Sequence, residues 1–281
     1  MTTPTLRLRF AKQRNMKSCY ILGGRTDVTT YEKSIEQILA WARTGESRYV
    51  CFGTVHMIME AYASPGFRQI LNDADLVNPD GMPLVWVQRR MGAGKAQRVT
   101  GPDITLMLCE KAATEGMPVG FYGGSQETNN AVVANMRQRH PGLNVSYAYS
   151  PPFRPLTPEE DEAVTKALIK SGTRLLFMGL GCPKQEQWMR EHRGKIPCVM
   201  LGVGAMFDFH AGTVKRAPLW LQDRGLEWLY RLLMEPKRLW KRYLTTNPRF
   251  IVLVTLQLLG IKRFEVPRIS GKLDHTNRLG K

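Results

Sequence analysis

The run Asn78-Pro79-Asp80-Gly81-Met82-Pro83 sets an acid directly after a short apolar stretch. A carboxylate at the end of a buried strand can project into a cleft and take a proton from a hydroxyl, as a general base does. The same Asp80-Gly81 pair suits a turn with a capping aspartate, and residue types alone allow both readings. Three glycine-bearing turns follow apolar runs: Phe121-Tyr122-Gly123-Gly124-Ser125, Gly179-Leu180-Gly181-Cys182-Pro183-Lys184-Gln185-Glu186 and Gly202-Val203-Gly204-Ala205. At the carboxyl ends of parallel strands such turns let backbone N–H groups approach phosphate, so a nucleotide diphosphate is a natural guest. A tight βα connection also needs glycine for structural reasons alone. Gln185 and Glu186, after a strand and at the start of a helix, suit hydrogen bonds to a bound ligand, and Glu186 equally suits a first-turn acid favoured by the helix dipole. Asp73-Ala74-Asp75 has the DxD form that can hold a divalent cation, but it precedes its strand and reads as a helix-to-strand connection. Neither a metal nor a cofactor is expected.

The elements that must position these groups follow from the hydrophobic pattern. Short apolar runs predict strands at Arg48 to Thr54, Asp75 to Asn78, Pro118 to Tyr122, Val145 to Tyr149, Arg174 to Gly179 and Cys198 to Val203. Between them, apolar residues at three- and four-residue spacing predict helices at Tyr31 to Arg43, Pro102 to Glu115, Glu127 to Arg139 and Pro158 to Lys170. This alternation is that of an α/β, Rossmann-like, mostly parallel sheet flanked by helices. After about Thr213 the strand-like runs stop. Val214 to Arg263 carries eleven Lys and Arg against three acids, together with Trp220, Trp228, Trp240 and several leucines. The segment reads either as amphipathic helices lying on anionic lipid or as a helical subdomain with a solvated basic face. The expected organisation is a basic extension over 1–19, an α/β catalytic domain over 20–213, a C-terminal helical, membrane-associating appendage over 214–264 and a polar tail over 265–281.

Across 281 residues, 40 Lys and Arg against 24 Asp and Glu leave a net charge of +16, which demands a polyanionic partner. Nucleic acid, an anionic membrane and phosphorylated substrates all meet that demand. Five cysteines without a CxxC pair fit reduced, buried thiols, and the basic start lacks the apolar region of a secretory signal, so a cytoplasmic location is expected. The apolar stretch Phe250 to Ile261 falls short of the ~20 residues a spanning helix needs. No glycine turn completes GxGxxG or GxxxxGK[ST], which weakens a nucleotide-dependent oxidoreductase and an NTPase. Basic residues interleaved with aromatics on a sheet face or recognition helix are absent from the α/β part, which weakens a nucleic-acid binder.

The motifs Asn78-Pro79-Asp80-Gly81, Arg98-Val99-Thr100-Gly101-Pro102-Asp103, Phe121-Tyr122-Gly123-Gly124, Pro151-Pro152-Phe153-Arg154, Gly181-Cys182-Pro183-Lys184-Gln185-Glu186 and Gly225-Leu226-Glu227-Trp228-Leu229-Tyr230-Arg231 occur in this order. Together they resemble the WecG/TagA/CpsF family of bacterial glycosyltransferases, from about Tyr20 to Tyr243. The resemblance implies an inverting, metal-independent transfer from a UDP-sugar to a sugar on undecaprenyl pyrophosphate, in cell-surface polysaccharide synthesis. It implies that Asp80 is the general base, with Thr54 and Arg98 beside the reacting groups. His56 stands where the family usually has Asn. The expected substrate-binding set is His56, Asn78, Gly123, Gly124, Gly181, Gln185, Glu186, Gly204 and Asp208. Arg224, Arg231 and Arg238 recur every seven residues. If one helix runs through Pro236, or restarts in register, they share a face that could grip the lipid pyrophosphate. The expected partners are the UDP-sugar donor, the polyprenyl-pyrophosphate-linked acceptor and an anionic membrane surface, with a second copy of the chain as a further candidate and no nucleic acid. The expected location is the cytoplasmic face of the inner membrane, held peripherally.

Overall fold

A computed structural model describes residues 16–265, the side chains of Arg238 and Arg242 excepted. In chain order the elements are β1 (Ser18–Ile21), β2 (Gly24–Asp27), α1 (Tyr31–Thr44), β3 (Arg48–Gly53), α2 (Val55–Ala63), α3 (Pro65–Asp73), β4 (Leu76–Pro79), α4 (Met82–Arg90), α5 (Gly101–Glu115) and β5 (Val119–Gly123). They continue with α6 (Gln126–Arg139), β6 (Val145–Tyr149), α7 (Pro158–Ser171), β7 (Leu175–Gly179), α8 (Lys184–His192), β8 (Val199–Gly202), α9 (Met206–Ala211), α10 (Leu219–Asp223), α11 (Glu227–Met234) and α12 (Pro236–Leu258).

Six strands form one sheet in the order β4-β3-β8-β7-β5-β6, every pair parallel. The expected strands and the four expected helices are all present, displaced by no more than one residue at either end. Successive strand residues feed opposite cores, as a two-residue period requires. Tyr49 and Cys51 of β3, with Leu176 and Met178 of β7, pack with Met57, Leu71, Met189 and Phe250. Val50 and Phe52, with Leu175 and Phe177, pack with Ile38, Leu108, Val132 and Phe207. Burial on both faces is why these strands read as continuous apolar runs.

The antiparallel hairpin of β1 and β2 was not foreseen, and it claims Ser18 and Cys19 from the expected N-terminal extension. The hairpin is tied to β4 by a buried ion pair. Arg25 meets Asp27 at 2.5 Å and donates to the Ala74 carbonyl at 2.5 Å, while Asp27 Oδ2 accepts from the Val77 amide at 2.8 Å. The rest of the expected 1–19 extension, apart from Met16 and Lys17, and the expected tail beyond Glu265 lie outside the described residues.

The expected appendage needs a correction. Phe250, Leu253 and Val254 of α12 are buried in the same core as α2 and β3. Gln257 clamps the helix to the hairpin by accepting from the Leu22 amide at 2.9 Å and donating to the Tyr20 carbonyl at 2.8 Å. The second half of α12 is therefore part of the body of the molecule. Among the described residues, no helix is long and apolar enough to cross a membrane.

Candidate active site

The carboxyl ends of β3, β4, β5, β7 and β8 open on one cavity of about 1030 Å³, whose far wall is built by α11 and α12. This is where open parallel sheets bind ligands, because the strand ends present backbone groups and helix N-termini. Thr54, His56, Asp80, Arg98, Gly124, Gly181, Gln185, Gly204, Asp208 and Arg231 line the cavity.

Asp80 follows β4 directly, and the strand end is pinned because the Asp80 and Gly81 amides both donate to the Gly53 carbonyl, at 2.9 and 3.0 Å. Its Oδ2 accepts from the Gly101 amide, the first residue of α5, at 3.3 Å, so the positive end of that helix faces the carboxylate. Burial raises the Asp80 pKa above the usual carboxylate value, and Arg98 opposes that rise. Arg98 donates from Nε to the Asp80 carbonyl at 2.5 Å, and its Nη2 lies 3.5 Å from Asp80 Oδ1. Thr54 caps α2 by accepting from the Met57 amide at 3.3 Å, which leaves its O–H as a donor at the cavity wall.

Gln185 is buried at the start of α8, and its amide nitrogen donates to the Gly202 carbonyl at 3.0 Å and to Glu186 Oε1 at 2.7 Å. Both amide protons are thereby committed. Its Oε1 has no protein partner, so at the cavity wall Gln185 can only accept a hydrogen bond from a ligand.

Several expected site residues sit elsewhere. Glu186 does not line the cavity but is buried behind Gln185. Burial pushes its pKa up to about 7, against the opposing pull of the Gln185 amide. Asn78 points into the core, where its Oδ1 accepts from the Ser34 hydroxyl at 2.7 Å. Gly123 has a φ of 132°, and a Cβ there would lie 2.6 Å from the Gly179 carbonyl carbon, so this glycine serves the close approach of β5 and β7. The seven-residue arginine spacing does not fall on one helix, because α11 ends at Met234 and α12 begins with Pro236. Arg224 caps α10, is exposed and stacks 5.7 Å from the centre of the Trp220 ring. Arg231 lines the cavity from α11, 5.4 Å from the centre of the Phe209 ring. Arg238 belongs to α12, and its side chain lies outside the described set.

Two residues absent from the expected set, Glu227 and Arg216, complete the polar wall, and a third, Asp103, holds Arg216 from behind it. Glu227 accepts from Arg98 Nη2. Arg216 pairs with both carboxylate oxygens of Asp103, one of them at 2.8 Å. Asp103 also accepts from the Thr100 hydroxyl at 2.7 Å and the Tyr31 hydroxyl at 3.1 Å. Burial opposes ionisation of Asp103, but Arg216 and Thr100 outweigh it and hold the pKa at about 2. Asp103 and Glu227 both lay inside recognised motifs, whereas nothing in the sequence marked Arg216 apart from its basic surroundings. The DxD pair is engaged structurally: Asp73 pairs with Arg190 at 3.0 Å, and Asp75 with Arg48 at 2.9 Å and Arg193 at 2.5 Å.

Comparison with known proteins adds two findings. Residues 19–264 match the model of the glycosyl transferase WecG/TagA/CpsF family. The chain is also 31% identical, over 69% of its length and 74% of the relative's, to the N-acetylglucosaminyldiphosphoundecaprenol N-acetyl-beta-D-mannosaminyltransferase of Bacillus spizizenii (strain ATCC 23059 / NRRL B-14472 / W23).

Proposed function

The chain belongs to the WecG/TagA/CpsF family of glycosyltransferases, and from that membership we propose that it moves a hexose-type sugar from a UDP-sugar to a sugar on undecaprenyl pyrophosphate, with inversion and without a metal. The observation that carries the reading is Asp80, a half-buried carboxylate of raised pKa just after β4, in a cavity walled by arginines and glycine turns. The Asp80 carboxylate takes the proton of the acceptor hydroxyl as that oxygen bonds to the anomeric carbon. The bond from that carbon to the diphosphate oxygen breaks on the opposite face, and UDP leaves with the electron pair.

Charge on the departing diphosphate is met by Arg98, Arg216 and Arg231, all on the cavity wall, and by backbone N–H groups of the glycine turns. The engagement of Asp73 and Asp75 by arginines supports a metal-free route, because neither carboxylate is available as a ligand without breaking those pairs. The relative's activity supports an N-acetylmannosamine-type donor and an N-acetylglucosamine-bearing acceptor. Such an acceptor supports a place in the synthesis of a cell-surface polymer, and we place the enzyme at the cytoplasmic face of the membrane. Peripheral attachment is supported by the exposed apolar side chains Leu219, Trp220, Leu233, Trp240 and Leu244, which sit in a strongly basic segment.

The test is incubation of the full chain with a panel of UDP-hexoses and a short-chain lipid-pyrophosphate acceptor, with and without EDTA. Transfer with inverted configuration that survives chelation is expected. The reading is wrong if no UDP-hexose is consumed. The metal-free mechanism is wrong if EDTA abolishes transfer and Mn²⁺ restores it.

A further inference from the structure

Arg98 is shared between two carboxylates, and the sharing is unequal. Its Nη2 donates to Glu227 Oε2 in a close charge-assisted contact, whereas the same nitrogen is 3.5 Å from Asp80 Oδ1. Its Nε is committed to the Asp80 backbone carbonyl at 2.5 Å. All three side chains are shielded from water, at 17% exposure for Arg98, 20% for Asp80 and 14% for Glu227. Arg98 thus grips the main chain of Asp80 firmly and its carboxylate loosely, because the nitrogen that faces both carboxylates, Nη2, is drawn closer to Glu227.

We propose that Glu227 is a positioning residue for sugar transfer: it holds the Arg98 guanidinium off the Asp80 carboxylate and so keeps that carboxylate able to accept the acceptor's proton. The proposal rests on the reading of Asp80 as the base. A guanidinium in direct contact lowers a carboxylate's proton affinity, while a second carboxylate nearby raises it. Glu227 does both jobs, by diverting the cation and by adding negative charge.

The other groups facing Asp80 do not supply this balance. The Gly101 amide of α5 and Arg216, from the loop before α10, both favour the ionised carboxylate. Arg216 is itself held by Asp103 of α5 in a two-oxygen contact. Tyr31 of α1 is occupied with Thr100 and Asp103, and burial raises its pKa to about 12, so it stays neutral. Glu227 is also the first residue of α11, the helix that brings Trp228, Arg231 and Leu232 to the cavity wall. Seating of that helix and basicity of Asp80 are therefore linked through one hydrogen bond.

The experiment is the pH dependence of kcat for the full chain and for Asp80→Asn, Glu227→Gln and Glu227→Asp, with circular dichroism and melting to confirm folding. The wild type is expected to lose rate on the acidic side as Asp80 protonates. Asp80→Asn is expected to lower the rate by ~10²-fold or more and to abolish that limb. Glu227→Gln is expected to move the limb to lower pH by about one unit, the low end of the shift a directly paired arginine produces, with a several-fold lower plateau. Glu227→Asp keeps the charge and is expected to hold the limb near its wild-type position. Should Glu227→Gln not fold, Glu227→Ser, small and neutral, makes the same comparison. A limb that stays put in the neutral variants but vanishes in Asp80→Asn overturns the proposal and leaves the base intact, even if the plateau falls. Near-normal turnover in Asp80→Asn overturns the base reading and this proposal with it.

Discussion

A carboxylate buried against a strand end keeps its proton to higher pH than one in water, and the surrounding cations decide how far. At Asp80 the two effects oppose each other, and burial prevails. Asp80→Asn preserves the shape and the bond from the Gly101 amide but cannot take a proton. We expect near-wild-type melting and UDP affinity with turnover lower by ~10²-fold or more, checked by calorimetric titration beside the transfer assay. Glu186 gives a separate prediction, on stability. Its pKa rises from 4.5 to about 7 on folding, so the native state holds a proton that the unfolded chain releases. Stability from this group is therefore complete below pH 4.5 and is lost as pH rises towards 7, by on the order of 2–3 kcal/mol. Glu186→Gln should flatten denaturant midpoints measured across that window; an unchanged slope would remove Glu186 as its cause. Asp80 and Arg98 were legible because both fall in short family-like motifs, one just after a strand and the other just before a helix. The partners of the arginines were not, since Glu227 lies 129 residues from Arg98 and Arg216 lies 113 residues from Asp103.

Among the elements, the helices and central strands announced themselves by period, while the β1–β2 hairpin did not. Its strands, Ser18–Ile21 and Gly24–Asp27, are four residues each, and one of them buries an arginine and an aspartate. No apolar pattern signals such a strand, because the compensating hydrogen bonds come from Asn72, Ala74 and Val77, about fifty residues away. Removing one partner strands the other charge in the interior. Asp27→Ala should cost ~3–5 kcal/mol of stability, read from urea unfolding, and should loosen the start of β4, the strand that leads to Asp80. A loss below ~1 kcal/mol would mean that Arg25 finds water or another acceptor. At the other end of the chain, Gln257 bonds the same hairpin, so the N-terminal strands and α12 stabilise each other.

For the whole molecule, the segment after Val214 is both cavity wall and body. Removing residues 214–281 would expose the core around Phe250, Leu253 and Val254 and break the Arg98–Glu227 and Arg216–Asp103 pairs. We expect that truncation to lose cooperative melting. The better probe of membrane attachment is a full chain with Trp220, Leu233 and Trp240 changed to Ser, since these side chains are exposed and none lines the cavity. That variant should keep UDP affinity yet sediment poorly with anionic liposomes. Wild-type sedimentation should weaken with salt, because each basic group near anionic lipid contributes about 1 kcal/mol. Salt-independent binding, or full binding by the triple variant, would count against this surface.

The sequence by itself determined the parallel α/β architecture, because burial on both faces of a central strand leaves a short apolar run, and these runs alternate with helical periods. It also marked out the candidate site, since Asp80 and the glycine turns follow strands whose positions come from those runs. Tertiary structure alone decided which polar residues meet a ligand and which serve the frame. Asn78 and Glu186 turn inward while Gln185 lines the cavity, a difference set by which core each side chain faces rather than by its type. It alone decided, too, that α12 belongs to the body and that Glu227 stands against Arg98. Contacts between residues more than a hundred positions apart depend on how the layers stack, and residue spacing along the chain does not encode that geometry.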